Sequence, residues 1–452
     1  MKRKLGGGVL LALLIICGAV QARGQESELT PSAAFWKTLG DTTLVRLVGE
    51  VVKSNHDVVA ARARLRGARA SRLQAALDFA PTVTATASYT RQRFASASFP
   101  GSFGSAFPDQ SVWDAGLQLS WELDVFGRIR KTTQGRGALI AAAEEDVQDL
   151  QVLLASELAI AYFDLRGAQD RLQVARRNAD NQQHTLDVTL QRLEAGRGNE
   201  FDSERARAQL NSTLAGIPEL EASIAAVEHR IAVLVGQPAT GLEQSSAEPT
   251  ALSALPDSIQ VPNPETVVRL RPDVRSAERQ LAAGNAFVGA AKAAYLPRIA
   301  LGGGVGYVGT SFEALGNSNT PRYAIGPVIS WPALNLGRVK AGVDLARAQE
   351  AEAEAYYRKT QLQASEEIAT SVVTYNKARR SLDYLEAAAR ASERAAALAR
   401  LRFDEGATDF LQVLDAERTM LEAQDRLAAG RTAATTGLVA VYRALGGTAI
   451  VR

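Results

Sequence analysis

The sequence predicts a mixed α/β protein in which very long helices are combined with short two-faced strands, and in which one structural plan is used twice. Three observations predict this fold class. Long segments carry a helical pattern without proline, four short segments alternate between apolar and polar residues, and residues of the first half recur 210 positions later without a gap. A repeat of this size determines the architecture, because both copies must hold the same elements in the same order.

The repeat is marked by residues that occur in the same order and with the same spacing in both halves. Each copy predicts a strand that ends at a Ser-Trp pair, a Gly-Arg turn that starts a long helix, a glycine that ends this helix, and a return helix that ends at a second glycine. We therefore divide the chain into a signal peptide (1–22), a first repeat (23–236), a connector (237–262) and a second repeat (263–452). The matching pairs are Ser120-Trp121 and Ser330-Trp331, Gly127-Arg128 and Gly337-Arg338, Leu172 and Leu382, Arg192 and Arg402, Gly196 and Gly406, and Gly236 and Gly446.

The segment from Arg128 to Gly196 determines the shape of each repeat, because it has no proline and carries a heptad pattern. Steps that alternate between four and three residues are typical of a coiled-coil seam. At 1.5 Å per residue, this helix spans roughly 100 Å. A rod or a coiled-coil dimer is the alternative interpretation of this segment taken alone. The seam residues are Leu154, Leu158, Ala161, Leu165, Ala168, Leu172, Ala175 and Ala179.

Each repeat begins with shorter helices. In the first repeat, amphipathic patterns predict helices at Asp41–Val52 and at about Asp57–Leu77. In the second repeat, Asn263 caps a short helix with proline in its first turn, and a longer helix runs from near Asp273 to before Pro297. Both repeats therefore place helices ahead of their strands.

The amino-terminal segment has the pattern of a secretory signal. Basic residues at positions 2–4 precede an apolar run from Val9 to Val20, and cleavage is predicted after Ala22. Cys17 offers an alternative, because lipoprotein signals end at a cysteine that becomes lipidated. The residue before it, Ile16, is larger than such signals require. The mature protein is therefore predicted to be exported, with Cys17 as a candidate lipidation site.

The composition excludes several kinds of chemistry. A net charge of +2, with both signs interspersed, argues against a nucleic-acid partner. His56, His184 and His229 are isolated and Cys17 is the only cysteine, so no metal site is predicted. The sequence pairs no nucleophile with a base and has no phosphate-binding glycine loop. We therefore predict no catalytic residues, no cofactor and no enzyme.

Four segments have the two-residue period of strands with one apolar and one polar face. They lie at Thr82–Thr90 and Trp113–Asp124 in the first repeat, and at about 299–307 and 323–331 in the second. A half-buried sheet of a soluble protein is one interpretation. The other is a membrane barrel, which the glycine- and serine-rich loops at 95–110 and 309–322 favour, because exposed outer loops have that composition.

Aromatic residues on the apolar face favour the membrane interpretation. Trp113 and Trp121 lie eight residues apart, roughly 27 Å along a strand, which suits aromatic girdles on both sides of the apolar band of an outer-membrane barrel. We expect the girdles to consist of Tyr89, Trp113, Trp121, Tyr307, Tyr323 and Trp331.

The number of strands predicts an assembly of several chains. One chain supplies four candidates, and an unpaired sheet edge cannot face lipid. The smallest bacterial barrels have about eight strands. Two chains would give eight strands and three would give twelve, and only the larger number leaves a bore. The sequence thus predicts a trimer with a 12-stranded barrel, lined by the polar strand residues Asp114, Gln118, Glu122 and Asp124.

The helical tips lie where the long helices end. Gly196 and Gly406 end them, and Asn199 and Asp409 are placed to cap the return helices, with Asp202 and Gln412 three residues on. We expect these residues to have structural roles.

A second set of tip residues differs between the repeats. Leu411, Asp415 and Arg418, with spacings of four and three, share one face of the second return helix. Their counterparts in the first repeat are Phe201, Arg205 and Ala208. Inward charges around a symmetry axis would form a constriction, whereas an exposed Asp415–Arg418 pair of little energetic value is the alternative.

Four motifs carry a resemblance to a known family. They are Ser120–Arg128, Leu270–Val274 with Ala277 and Glu278, Asp409–Arg418, and Tyr442–Gly447. With them, nearly all of the mature chain resembles the TolC-like outer-membrane efflux channels, particularly the branch that includes OprM and NodT-type proteins.

The resemblance implies a homotrimer in outer-membrane lipid, with a β-barrel and a long periplasmic coiled-coil barrel of helices. It also implies a passive exit channel for small molecules and drugs, recruited by a periplasmic adaptor protein and an inner-membrane RND-type transporter. By motif match, Leu411, Asp415 and Arg418 fall at the family's periplasmic gate. A duct for type I protein secretion is an alternative, and a periplasmic coiled-coil adaptor or structural protein is another.

Overall fold

The computed structural model describes residues 33–93, 108–239, 255–261 and 263–448. The predicted signal peptide, Cys17 and much of the connector and of the 95–110 loop lie outside these residues. The helices are α1 Ala33–Thr38, α2 Thr42–Ser54, α3 His56–Leu77, α4 Arg128–Glu194, α5 Glu200–Leu234, α6 Pro264–Leu270, α7 Pro272–Lys292, α8 Leu336–Asp404 and α9 Phe410–Ala444. The strands are β1 Thr82–Gln92, β2 Gln110–Leu123, β3 Arg298–Gly309 and β4 Pro321–Ser330.

Two helical hairpins dominate the fold. Helix α4 has 67 residues and packs along α5, while α8 has 69 residues and packs along α9. Each return helix has 35 residues. Helix α7 packs against both α4 and α8, and α9 packs against α4, so the two hairpins lie side by side. Within the described ranges, no helix is both long and apolar enough to cross a membrane.

The strand-to-helix corner differs between the repeats. In the first, Gly127 precedes α4 with φ 77°, and the Asp124 carboxylate accepts from the amides of Ile129 and Arg130 at 2.8 and 2.9 Å. The assignment of Asp124 to the polar strand face was therefore wrong, because β2 ends at Leu123 and this carboxylate satisfies free amides of the first helical turn.

In the second repeat, the expected Gly-Arg turn was also wrong. A turn in which the Asn335 amide donates to the Pro332 carbonyl at 2.9 Å reverses the chain earlier. Helix α8 consequently begins at Leu336, and Gly337 lies inside the helix.

The four strands form one antiparallel sheet in the order β1-β2-β3-β4. The register keeps the alternating apolar positions of the four strands on one face, because partners such as Ala85 and Leu117, or Val305 and Tyr323, lie directly opposite each other. The apolar face holds Val83, Ala85, Ala87, Tyr89, Trp113, Ala115, Leu117, Leu119, Trp121, Leu123, Ile299, Leu301, Val305, Tyr307, Tyr323, Ile325 and Ile329.

The main hydrophobic core lies where the short leading helices meet the long ones. The Phe35 ring stacks on Tyr442 with centroids 4.3 Å apart, and Trp36 meets the same ring edge-on at 4.7 Å. Trp36 is only 1% exposed. Both residues come from α1, which lies ahead of the first predicted helix and has too few residues to show a helical period.

The two return helices are anchored at equivalent carbonyl groups. Asn55, between α2 and α3, donates its side-chain amide to the Leu234 carbonyl at 2.9 Å. Arg271, between α6 and α7, donates to the Ala444 carbonyl, also at 2.9 Å. Leu234 and Ala444 are 210 positions apart. The same junction is therefore made twice, once by a neutral amide and once by a guanidinium group.

Candidate functional site

The apolar face of the sheet is exposed. Val83, Val305 and Ile325 have 56, 57 and 68% of their surface exposed, so the described chain does not cover this face. A half-buried sheet of a soluble monomer would bury these residues. The face is therefore available to an apolar surrounding.

Aromatic side chains lie at both ends of this face. At the loop end, the Tyr89 and Trp113 rings pack with centroids 4.6 Å apart, and Trp113 meets Phe312 at 5.4 Å. At the helix end, the indole N–H groups of Trp121 and Trp331 donate to main-chain carbonyls at 2.8 and 3.1 Å. Tyr307 and Tyr323 lie on the same face, both exposed.

The other face of the sheet is polar. Along β1 it carries Thr82, Thr84, Thr86, Ser88 and Thr90, and along β2 it carries Asp114, Gln118 and Glu122. Arg322 of β4 pairs with Asp114 across the sheet. Arg128 donates two hydrogen bonds to Glu122, both at 2.9 Å, at the corner that leads into α4. This face is therefore hydrophilic over β1 and β2, whereas β3 and β4 contribute mainly glycine, alanine and valine to it, together with the charged Arg322.

Each long helix ends at a glycine with positive φ, and a side chain caps each return helix. Gly196 and Gly406 have φ values of 66° and 72°, which favour glycine at the end of a helix. Asp409 accepts from the Gln412 amide at 3.2 Å. Asn199 accepts from the Phe201 amide at 2.9 Å and not from the amide three residues on, so only the second tip has the predicted cap spacing.

The predicted gate residues share the exposed face of α9. Arg418 donates to the Asp415 carboxylate at 2.9 Å, and the two side chains are 60 and 65% exposed. Leu411 is also exposed. A solvent-exposed pair of this kind contributes little to stability. The structure of one chain therefore brings the three residues together on one surface without burying them.

A buried ionic contact behind this face escaped the sequence reasoning. Glu417 is 2% exposed, accepts from Arg400 at 2.7 Å and accepts from Thr185 of the first hairpin at 3.2 Å. The available signal was its position, because it continues the apolar series of Phe410, Val413 and Met420 that packs inward. The contact ties the second return helix to the first hairpin.

A second charged cluster lies at the opposite end of the hairpins, where they join the shorter helices. The Arg271 guanidinium pairs with Asp273 at 2.7 Å and with Glu367 at 2.8 Å. Burial raises the pKa of the nearby Asp149 to about 6, and the negative charge of Asp273 adds to the increase. Within the described residues, no cluster of His, Cys, Asp and Glu side chains could hold a metal ion.

The fold and this site define a class of protein: paired helical hairpins that carry an antiparallel sheet with an exposed apolar face. A family described as outer membrane efflux protein matches residues 47–237 and 264–447. The solvent efflux pump outer membrane protein SrpC of Pseudomonas putida is 31% identical over 432 residues, which cover 95% of this chain and 90% of SrpC.

Two further comparisons agree with this match. The outer membrane protein OprJ of Pseudomonas aeruginosa is 30% identical over 424 residues, which cover 91% of this chain and 86% of OprJ. The solved structure of the outer-membrane channel OprN has a TM-score of 0.86 and 40% identity, with 93% of each chain covered. The chain belongs to the outer membrane efflux protein family.

The resemblance inferred from the four motifs is thereby confirmed. The protein is located in the outer membrane and is the outer-membrane component of an efflux system, and its fold is the helix-dominated fold of the outer-membrane efflux channels. The family consists of channels and ducts.

Proposed function

We propose that three copies of this chain form a passive exit channel for small organic molecules, with a shared 12-stranded barrel in the membrane and a tube of helical hairpins below it. The observation that carries this proposal is the sheet itself. One face is apolar on all four strands, the other carries the polar residues of β1 and β2, and the sheet is joined directly to the two longest helices. Such a sheet suits a wall between lipid and water.

The sheet edges support closure between chains. Among the described residues, β1 and β4 each pair along one side only. They run in opposite directions, so β4 of one copy can pair antiparallel with β1 of the next. Closure removes the free edges, which hydrocarbon does not tolerate. Three copies contribute twelve strands, and the threonine-rich face then lines a bore.

A comparison of the two long helices supports side-by-side packing of the copies. Val152, Phe163 and Val174 of α4 are 6, 2 and 9% exposed. Their counterparts in α8, Leu362, Val373 and Tyr384, are 73, 57 and 69% exposed. They share one stripe of α8, about 40° wide at 100° per residue. In the first repeat, other helices of the same chain cover the corresponding stripe of α4. In the second repeat, a neighbouring chain would cover the stripe of α8.

The partners follow from the proposed architecture. Lipid surrounds the apolar face between the girdles formed by Tyr89, Trp113, Trp121, Tyr307, Tyr323 and Trp331. A periplasmic adaptor and an inner-membrane RND-type transporter engage the helical end, and the transporter supplies the energy. The division into repeats at 23–236 and 263–452 and the signal peptide at 1–22 are further parts of this proposal, with lipidation at Cys17 as the alternative to cleavage after Ala22.

Membrane fractionation, combined with the mass of the detergent-extracted protein, tests the proposal. The expected result is a complex of three chains recovered from the outer membrane. Recovery of a water-soluble monomer would overturn it.

We propose in addition that Leu411, Asp415 and Arg418 form the periplasmic gate. In a three-fold assembly, each residue is present three times around the axis, so opposite charges and the leucine can close the opening together. Tip hairpins that move apart would then open the channel. The proposal draws on the exposure of these side chains in the single chain, since a covered face could not reach an axis.

The variant Asp415→Ala with Arg418→Ala should increase single-channel conductance in a planar bilayer, because the charges that narrow the resting opening are gone. The first hairpin offers a matched control, the exposed pair Glu204–Arg207 with the same spacing. The variant Glu204→Ala with Arg207→Ala should leave conductance unchanged. Equal conductance of all three proteins would count against the gate.

A further inference from the structure

The two long helices end in the same backbone geometry. In α4, the Gly196 amide donates to the Leu193 carbonyl at 3.0 Å, and the Arg197 amide donates to the Arg192 carbonyl at 2.8 Å. In α8, the corresponding bonds are 3.0 and 2.7 Å long, from Gly406 and Ala407. Both ends are Schellman motifs. Each therefore presents a carbonyl and an acidic residue at corresponding positions.

An arginine of the first hairpin binds the end of the second. The Arg192 guanidinium lies 4.0 Å from the centre of the Phe403 ring and donates to the Phe403 carbonyl at 3.4 Å. It also lies 3.5 Å from the Asp404 carboxylate. A cation at the carboxyl end of a helix is favourable because the exposed carbonyl groups carry partial negative charge. Arg192 thus joins the two tips within the chain.

The charged side chains that would form the second contact have no partner within the described part of the chain. Arg402 stands 210 positions after Arg192, and Leu193 and Glu194 stand 210 positions before Phe403 and Asp404. The side chains of Arg402 and Glu194 are exposed, and neither has a hydrogen bond or ion pair within the described part of the chain. The Arg402 guanidinium and the Glu194 carboxylate therefore face solvent in a single chain, and the Leu193 carbonyl has the same bond to a glycine amide as the Phe403 carbonyl that Arg192 binds.

We infer that Arg402 of one copy binds the Leu193 carbonyl and the Glu194 carboxylate of the neighbouring copy. The inference rests on the proposed three-fold assembly, in which each second hairpin is followed by the first hairpin of the next chain. The charges are complementary, the acceptor end has the geometry of the one that Arg192 already binds, and the exposed α8 stripe leads along the same helix to Arg402. The partner is thus a second copy of this chain.

The contact closes the ring of tips. A trimer has six hairpins, joined in turn by Arg192 within a chain and by Arg402 between chains. The contact between chains is separate from the sheet and from the α8 stripe, which hold the copies together elsewhere. Its loss therefore loosens the tips while the assembly remains intact.

Cysteine cross-linking tests the contact directly. The variant Glu194→Cys with Arg402→Cys is treated in membranes with a bismaleimide and analysed on a denaturing gel. The matched control is Arg192→Cys with Asp404→Cys, whose partners lie in one chain. Bismaleimides of increasing length are first tried on this control pair, and linked peptides are detected by mass spectrometry. The shortest reagent that links the control pair is then used for both variants. Single-cysteine variants control for Cys17.

The expected result is linked dimers and trimers for the Glu194/Arg402 pair, and linkage without a change of oligomer size for the control pair. The mass of the detergent-extracted protein is measured on the same samples. Three chains by mass with no link between positions 194 and 402 would overturn this contact alone. A monomer by mass would instead overturn the proposed assembly.

Charge exchange gives an independent readout. Arg402→Glu places a glutamate beside Glu194 of the neighbouring copy. Because like charges repel across an interface, the tips should separate and the resting conductance should rise about two-fold or more. Adding Glu194→Arg should restore the original conductance. Failure of the second change to rescue the first would exclude a direct pair.

Discussion

The ionised carboxylate of Asp149 destabilises the folded protein at neutral pH. Its carboxyl group lies near Asp273, and burial is the main reason that its pKa rises to about 6 from 3.8. Because the folded pKa exceeds the unfolded one, this group favours the folded state most below pH 3.8, and the benefit is lost as the pH rises through 6. At pH 7.5 the ionised group therefore costs on the order of 1–3 kcal/mol.

The variant Asp149→Asn should raise the thermal unfolding midpoint at pH 7.5, because the amide cannot ionise. At pH 4 the wild-type carboxyl is mostly protonated, and the two proteins should unfold at nearly the same temperature. Asp180→Asn, on an exposed face of the same helix, is the control and should have no effect at either pH. A gain that is equal at pH 4 and pH 7.5 would contradict this account.

Individual residues differ in how far sequence could assign them. Gly196 and Gly406 were predictable, because a glycine at the end of a helix has a local cause. Glu417 was not, because a charged residue at an inward position becomes interpretable only when Arg400 and Thr185 are placed beside it. The functional roles of Leu411, Asp415 and Arg418 remain predictions, because they depend on copies of the chain around an axis.

Among the elements, the sheet has a position that leaves no room for a side chain. Gly116 of β2 lies opposite Gly306 of β3. A Cβ atom on Gly116 would lie 2.5 Å from the Val305 carbonyl oxygen and 2.9 Å from the Gly306 Cα atom. Contacts this short would require main-chain displacement. The two strands can therefore approach this closely only because both positions lack side chains.

The variant Gly116→Ala should lower stability by about 1–3 kcal/mol, a usual cost of overpacking. The thermal unfolding midpoint and the amount of protein recovered from outer membranes both measure this. Gly326→Ala on β4, where no atom lies within 4 Å of a new Cβ, is the control on the same face. Comparable losses for the two variants would show that the close approach is not the cause.

The elements themselves were largely predictable. Two-residue alternation and the absence of proline are local signals, and the structure has strands and long helices in those segments. Helix α1 and the start of α8 were not predictable. The first is stabilised by packing of Trp36 on Tyr442, more than 400 positions away, and the second depends on a turn at Pro332 that has no counterpart in the first repeat.

At the scale of the whole molecule, the exposed stripe of α8 is the best place to test assembly. Tyr384 is 69% exposed in the single chain and corresponds to the buried Val174. The variant Tyr384→Glu should reduce the detergent-extracted complex to smaller species, because a carboxylate would have to be buried between copies. Tyr384→Phe keeps the apolar surface and should remain a trimer by light scattering. A trimeric Tyr384→Glu protein would place this stripe outside the interface.

The doubled plan within one chain also bears on how the protein can change through evolution. A chain of half the length would need six copies to build the proposed ring of six hairpins, and every substitution would then appear at all six. Fusion of the two halves allows one junction to use the uncharged Asn55 and the other the charged Arg271, with the same carbonyl position as target. Each half is thus free to acquire its own chemistry while the main-chain scaffold stays common to both.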